Sequence, residues 1–130
     1  MKALLFMLLV PFGALALGEG SWQDSGIGVT LSNRGVTASS RPLKPMQPVT
    51  GRMTLIAWTY VLDGPTPAGL AVKLCSPTNC TPLEGDNGTT RGLTNTDANQ
   101  PLRFVWEVPG GGRLIPALKV QRNSVIVNYR

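Results

Sequence analysis

Cys75 and Cys80, in the segment Cys-Ser-Pro-Thr-Asn-Cys, are the residues of this 130-residue chain whose type and spacing point to a defined covalent chemistry. In an exported protein an even, closely spaced pair reads as a disulfide. Closing so short a loop stabilises a fold by about 2 kcal/mol in the chain-entropy account. Free thiols are the alternative. A zinc site has little support, because the chain has no histidine and no second cysteine pair. The spacing is also not the Cys-x-x-Cys of redox catalysts.

The remaining chemistry thins out quickly. Without histidine, Ser-His-Asp and Cys-His mechanisms are excluded. The seven acidic residues, Glu19, Asp24, Asp63, Glu84, Asp86, Asp97 and Glu107, are dispersed, so spacing argues for no acid/base carboxylate pair. Asp86-Asn87-Gly88 lacks the wider ligand pattern of a calcium loop and reads as a turn. No feature marks a serine–lysine pair, and Lys73 is predicted to point outward. Pro109-Gly110-Gly111-Gly112-Arg113 is glycine-rich, but a phosphate cradle needs a helix after the loop and a strand pattern follows here. Unusual backbone angles or a close backbone approach explain those glycines. The reading is therefore of a non-enzymatic protein with no catalytic residue, cofactor, metal or small-molecule substrate. Trp22 has two readings: a cap on the end of the core, or an exposed aromatic anchor for a partner.

The elements that would carry these residues begin after residue 18. Met1-Lys2 forms a positive start, Ala3 to Val10 is apolar, and Pro11 and Gly13 break the run. Small residues then suit cleavage after Ala16 or Gly18. Residues 1–18 are thus predicted to be a secretory signal peptide and 19–130 a single β domain. The apolar run is short for a membrane span, and an uncleaved N-terminal anchor is the minor alternative. Removing Lys2 lowers the net charge from +5 to +4, and the remaining cations are scattered. That pattern is poor for nucleic acid and adequate for mild attraction to acidic partners.

Within 19–130 the apolar residues alternate with period two. Ile27, Val29 and Leu31 share one face of a short strand. Arg52 to Leu62 carries Ile56, Trp58, Tyr60 and Leu62 on one side and Met53, Leu55, Ala57 and Val61 on the other, which predicts a central strand covered on both faces. Leu70 to Cys75 and Leu102 to Val108 alternate apolar residues with charges. Leu114 to Val120 and Val125 to Tyr129 read as a terminal hairpin turning at Arg122-Asn123, with Pro116 marking an edge or a bulge. Arg41 to Pro48 reads as a proline-spaced connector, and Thr89 to Gln100 as a mobile polar loop. The eleven prolines and fifteen glycines leave no room for a long helix. The fold class is all-β, a small antiparallel β-sandwich of immunoglobulin-like size, with the strand order open.

With these residues in place, the chain strongly resembles the flagellar protein FlhE family. The resemblance is carried by Gly18 to Gly26 (GEGSWQDSG), Gly64 to Leu70 (GPTPAGL), Pro101 to Val120 (PLRFVWEVPGGGRLIPALKV) and the terminal Val125 to Arg130 (VIVNYR). The cysteine pair fits as well, and Arg41 to Gln47 and Thr89 to Gln100 match least. The resemblance implies a periplasmic accessory protein of the flagellar system, acting as an assembly chaperone for rod, hook or filament subunits. An alternative is a gate or plug limiting proton leakage through the export apparatus. A small envelope ligand-binding β protein is a third class, and it would need an enclosed polar cavity. For partner binding, the expected residues are Trp22, Pro116, Val125, Val127 and Tyr129, with β-strand addition at an edge as the mechanism.

Overall fold

The computed structural model describes residues 19–130. The signal peptide expected over 1–18 lies outside the described residues. Nine strands follow: β1 (Gly20–Ile27), β2 (Thr30–Asn33), β3 (Thr37–Ser39), β4 (Met53–Leu62), β5 (Ala71–Cys75), β6 (Cys80–Leu83), β7 (Asn87–Thr90), β8 (Arg103–Glu107) and β9 (Arg113–Tyr129). They form two antiparallel sheets, one ordered β1-β9-β4-β7 with β2 also paired to β9, the other ordered β3-β8-β5-β6. The all-β sandwich expected from the alternation is what forms, with no helix among the described residues.

The core lies between the sheets, built from alternating residues of the facing strands, with a register shift after Met53 that brings Met53 to the same inner side as Ile56 and not to the outer side expected for it. Met53, Ile56, Trp58 and Tyr60 of β4 and Val125 and Val127 of β9 meet Val72 and Leu74 of β5 and Phe104 and Trp106 of β8. Phe104 and Trp106 stack with ring centroids 5.4 Å apart, and Tyr60 meets both edge-on at 6.1 and 5.8 Å. Each such pair adds about 1 kcal/mol beyond the area it buries. Lys73 and Arg103 point to solvent, as their alternation requires. β4 is central, flanked by β9 and β7. Its outer side is less covered than its apolar sequence suggests: Leu55, Ala57 and Val61 are half-buried and Thr59 is exposed.

The expected terminal hairpin is corrected. Arg113 to Tyr129 is one continuous strand, and Arg122-Asn123 is not a turn. Arg122 pairs with Ile27 on one side and Val61 on the other, and Asn123 with Gly26 and Tyr60. The ladder with β4 steps from Val61↔Arg122 to Leu62↔Val120, so Gln121 is an extra residue. A β-bulge of this kind bends the strand without reversing it. β1 and β2 run along the same side of β9, interrupted at Gly28, whose φ of 80° suits a residue with no Cβ.

Two connections also differ in character from their composition. Thr89 and Thr90 belong to β7, and residues 91–100 are pinned to the body of the domain. Asn95 N–H donates to Met53 O, Met53 N–H to Thr96 O, and Ala98 N–H to Gly51 O, while Leu93 and Ala98 are buried. Arg41 to Pro48 is an extended connector that buries Leu43 through mutual backbone bonds with Leu102. The glycine-rich turn between β8 and β9 makes a close backbone approach. A Cβ on Gly35 would collide with the carbonyl oxygen of Gly110, and Gly35 N–H donates to Val108 O at 2.8 Å.

Candidate partner-binding edge

Strand pairing and the inner face of each sheet decide which of the expected partner-binding residues reach solvent. Trp22 lies on the inward side of β1 and is 7% exposed. Its Nε1–H donates to Ala98 O at 2.9 Å. It caps the core and ties β1 to the 91–100 segment, so the exposed-anchor reading is corrected. Val125 and Val127 are fully buried, and β1 and β4 occupy both sides of their backbone. No added strand can reach them in the folded domain. Tyr129 is half-buried, with its ring lying where a Cβ on Gly20 would stand. The C-terminal half of β9 is therefore an interior strand.

Pro116 sits differently. The N-terminal half of β9 is paired to β2 through Thr30↔Lys119, Leu31↔Leu118 and Asn33↔Arg113. Two steps along β2, from Leu31 to Asn33, thus face five along β9, a wide irregularity that contains Pro116, as the sequence allowed. On the opposite side β4 leaves the ladder at Leu62↔Val120, and the last bond there is Asp63 N–H to Lys119 O at 2.8 Å. Among the described residues, Arg113 to Leu118 have no ladder partner on that side. Because backbone groups alternate along a strand, the N–H and C=O of Ala117 face the same open side as the Lys119 carbonyl. Leu114 and Leu118 anchor this stretch in the core, while Ile115 is 80% exposed and Pro116 is exposed.

The other long edge, β1, is guarded. Arg41 donates through Nη2 to the Ser25 carbonyl and to Asp24 Oδ1, the latter at 3.0 Å, and through Nη1 to Pro42 O. Lys44 N–H and Ser25 N–H also donate to the Asp24 carboxylate. Partial burial alone would push this carboxyl up. The amides of Lys44 and Ser25, together with the Arg41 guanidinium, outweigh that and hold it below its ordinary value. Charged clasps of this kind blunt a sheet edge. β6, an edge of the second sheet, carries Pro82.

The cysteines form a disulfide, Cys75–Cys80, across the β5–β6 pair, with Cα atoms 4.0 Å apart. Ser76 N–H donates to Asn79 O inside the loop. Asp86 accepts from the Asn87 side chain and its carbonyl takes the Tyr60 N–H, so the Asp86-Asn87-Gly88 segment is a strand entry. Tyr60 has its phenol pushed up by burial and by the Asp86 charge. No group of three or more potential metal ligands occurs among the described residues. Surface cavities of about 340, 360, 240 and 350 Å³ lie outside the core. The one of about 240 Å³ spans the outer face of β1, β9 and β4 at Ile27, Val61 and Arg122.

The domain is a packed two-sheet antiparallel sandwich in which the β1 edge is clasped and the N-terminal half of β9 is unpaired on one side. Comparison with known proteins gives the family. The flagellar protein FlhE family model matches residues 28–130, and the chain belongs to that family. It is similar to flagellar protein FlhE of Salmonella typhimurium, 64% identical over 130 residues and all of both chains. Identity to the Escherichia coli K12 protein of the same name is 59%, again over all of both chains. The Yersinia enterocolitica protein is 44% identical over 127 residues, covering 94% of this chain and 88% of the relative. A solved structure described as the crystal structure of FLHE superposes with a TM-score of 0.84 and 68% identity, covering 87% of this chain and 98% of that one.

Proposed function

We propose that this protein serves the flagellar system from the periplasm as a non-enzymatic assembly chaperone, holding a segment of a rod, hook or filament subunit by strand addition. Family membership supports the flagellar role. The disulfide suits an oxidising compartment. The observation that carries the chaperone reading is the open side of β9 at Arg113 to Leu118, where β4 has departed and Ile115 stands exposed. Unpaired backbone groups supply affinity in strand addition, and flanking side chains supply selectivity.

The test is a photoreactive residue placed at position 115 of the full chain in flagellated cells, with the crosslinked product identified. A rod, hook or filament subunit in the product is the expected result. An export-apparatus membrane protein as the sole product would overturn the chaperone reading and favour a gate. Absence of any flagellar product, with the variant protein present at its usual level, would overturn both.

A further inference from the structure

We infer that the open side of β9 selects an extended segment carrying acidic side chains, adding it as a further strand beside Ile115 to Lys119. The inference deepens the chaperone reading and rests on it. Its first support is the backbone. The Lys119 carbonyl already accepts from Asp63 on this side, and Ala117 presents the next N–H and C=O with no partner among the described residues. By the same alternation the nitrogen of Pro116 lies on the β2 side, so its missing N–H removes no donor from the open side.

The second support is charge. From Val108 to Ser124 the chain contains no acidic side chain, and it carries Arg113, Lys119 and Arg122. From Gly28 to Ser40, the stretch that includes β2, it contains no carboxylate and carries Arg34. Arg113, Lys119 and Arg122 are exposed. The single ion pair among the described residues is Arg41–Asp24, so none of these cations is neutralised by a side chain within 4 Å. The Asp63 amide bonds to Lys119, but its carboxylate forms no ion pair there. A concentration of one sign beside unpaired backbone steers an oppositely charged segment and opposes a basic one. The exposed Ile115 adds an apolar contact, so the preferred segment alternates acidic and apolar residues.

Two soluble decapeptides test this, one alternating valine with glutamate and one alternating valine with lysine. Each is titrated by fluorescence anisotropy against the mature domain at low and at 0.5 M salt, with amide NMR to locate binding. The glutamate peptide should bind with amide shifts at Ile115, Ala117 and Lys119. It should bind roughly tenfold more tightly than the lysine peptide, a preference that salt erodes. The double variant R113E/K119E alters two exposed side chains and should reverse the order. A glutamate peptide interrupted by two prolines should lose binding. Equal binding of the two charged peptides, shifts confined to another face, full retention by the proline peptide, or no binding of any peptide would each overturn the inference. If the position-115 crosslink still captures a subunit in that event, the chaperone reading stands and only the acidic-strand inference falls.

Discussion

Truncation of Trp22 separates a core role from a partner role by magnitude alone. The indole is 7% exposed, and its N–H is spent on the Ala98 carbonyl. Removing a buried tryptophan to alanine costs about 3–5 kcal/mol. A domain of this size has about 5–15 kcal/mol in all. Trp22→Ala should therefore lower the urea midpoint by roughly a fifth or more, and a marginal variant should unfold near physiological temperature. Trp22→Phe keeps most of the apolar volume but leaves the buried Ala98 carbonyl without its donor, at a cost of about 1–3 kcal/mol. Both variants should also speed amide exchange at Asn95 and Ala98, because the 91–100 segment loses a tether. The measurement is equilibrium urea unfolding with amide exchange on the same samples. If Trp22→Ala costs under about 1 kcal/mol, with exchange at Ala98 unchanged, the indole is not a structural cap. The exposed-anchor reading would then return.

Three further outcomes follow from the same geometry. Reducing the Cys75–Cys80 bond, or replacing both cysteines with serine, should cost about 2 kcal/mol and leave a folded domain, measurable as a shift in thermal midpoint. The Asp24 carboxyl titrates below its unfolded value, so its contribution is complete above about pH 4 and is lost as pH falls through the folded pKa. Asp24→Asn should therefore flatten the acid limb of a stability-versus-pH curve, and an unchanged limb would rule out the clasp as its source. Secretion through a cleaved signal peptide predicts that protein recovered from the periplasm begins at Leu17 or Glu19, which N-terminal sequencing reads directly.

How much of this was legible in the sequence depended on whether a residue's environment was set locally. β5 and β8 were readable because Val72, Leu74, Phe104 and Trp106 alternate with Lys73 and Arg103, so each strand declares its own inner face. β1 was not. Serine, glutamine and glycine dominate Gly20 to Ile27, and what makes that stretch a strand is eight residues of pairing to β9, from more than ninety positions away. The 91–100 segment looked polar and free because its two buried residues, Leu93 and Ala98, are too few to make a pattern. Of the expected partner-binding residues, the sequence placed Pro116 usefully, since proline in a strand pattern demands an edge or an irregularity. Val125 and Val127 were misplaced because an apolar residue near a terminus looks the same whether its strand is an edge or the middle of a sheet, whereas Trp22, on the inner face of an edge strand, takes the core-cap place that was one of its two readings.

The polar run Gln121-Arg122-Asn123-Ser124 shows what that blindness costs. Locally it satisfies every requirement of a turn, and a turn there would have made both halves of β9 available to a partner. Whether such a run reverses the chain or bulges depends on ladder partners elsewhere, and here β1 and β4 occupy both sides of it. The consequence for function is direct. Because the strand continues, its C-terminal half is sealed between neighbours, and unpaired backbone on β9 is confined to the half that β4 abandons at Leu62. The bulge at Gln121 lies where those two halves meet. A deletion of Gln121 should restore a straight register with β4, swing Arg113 to Lys119 relative to the sheet, and weaken segment binding while Val125 and Val127 stay packed. The Gln121 carbonyl also accepts from Gly28 N–H on the β1 side, so the deletion puts that ladder one residue out of step, and a lowered thermal midpoint with lost peptide binding is the expected pair of results. Binding retained at full strength would show that the open edge does not depend on the bend.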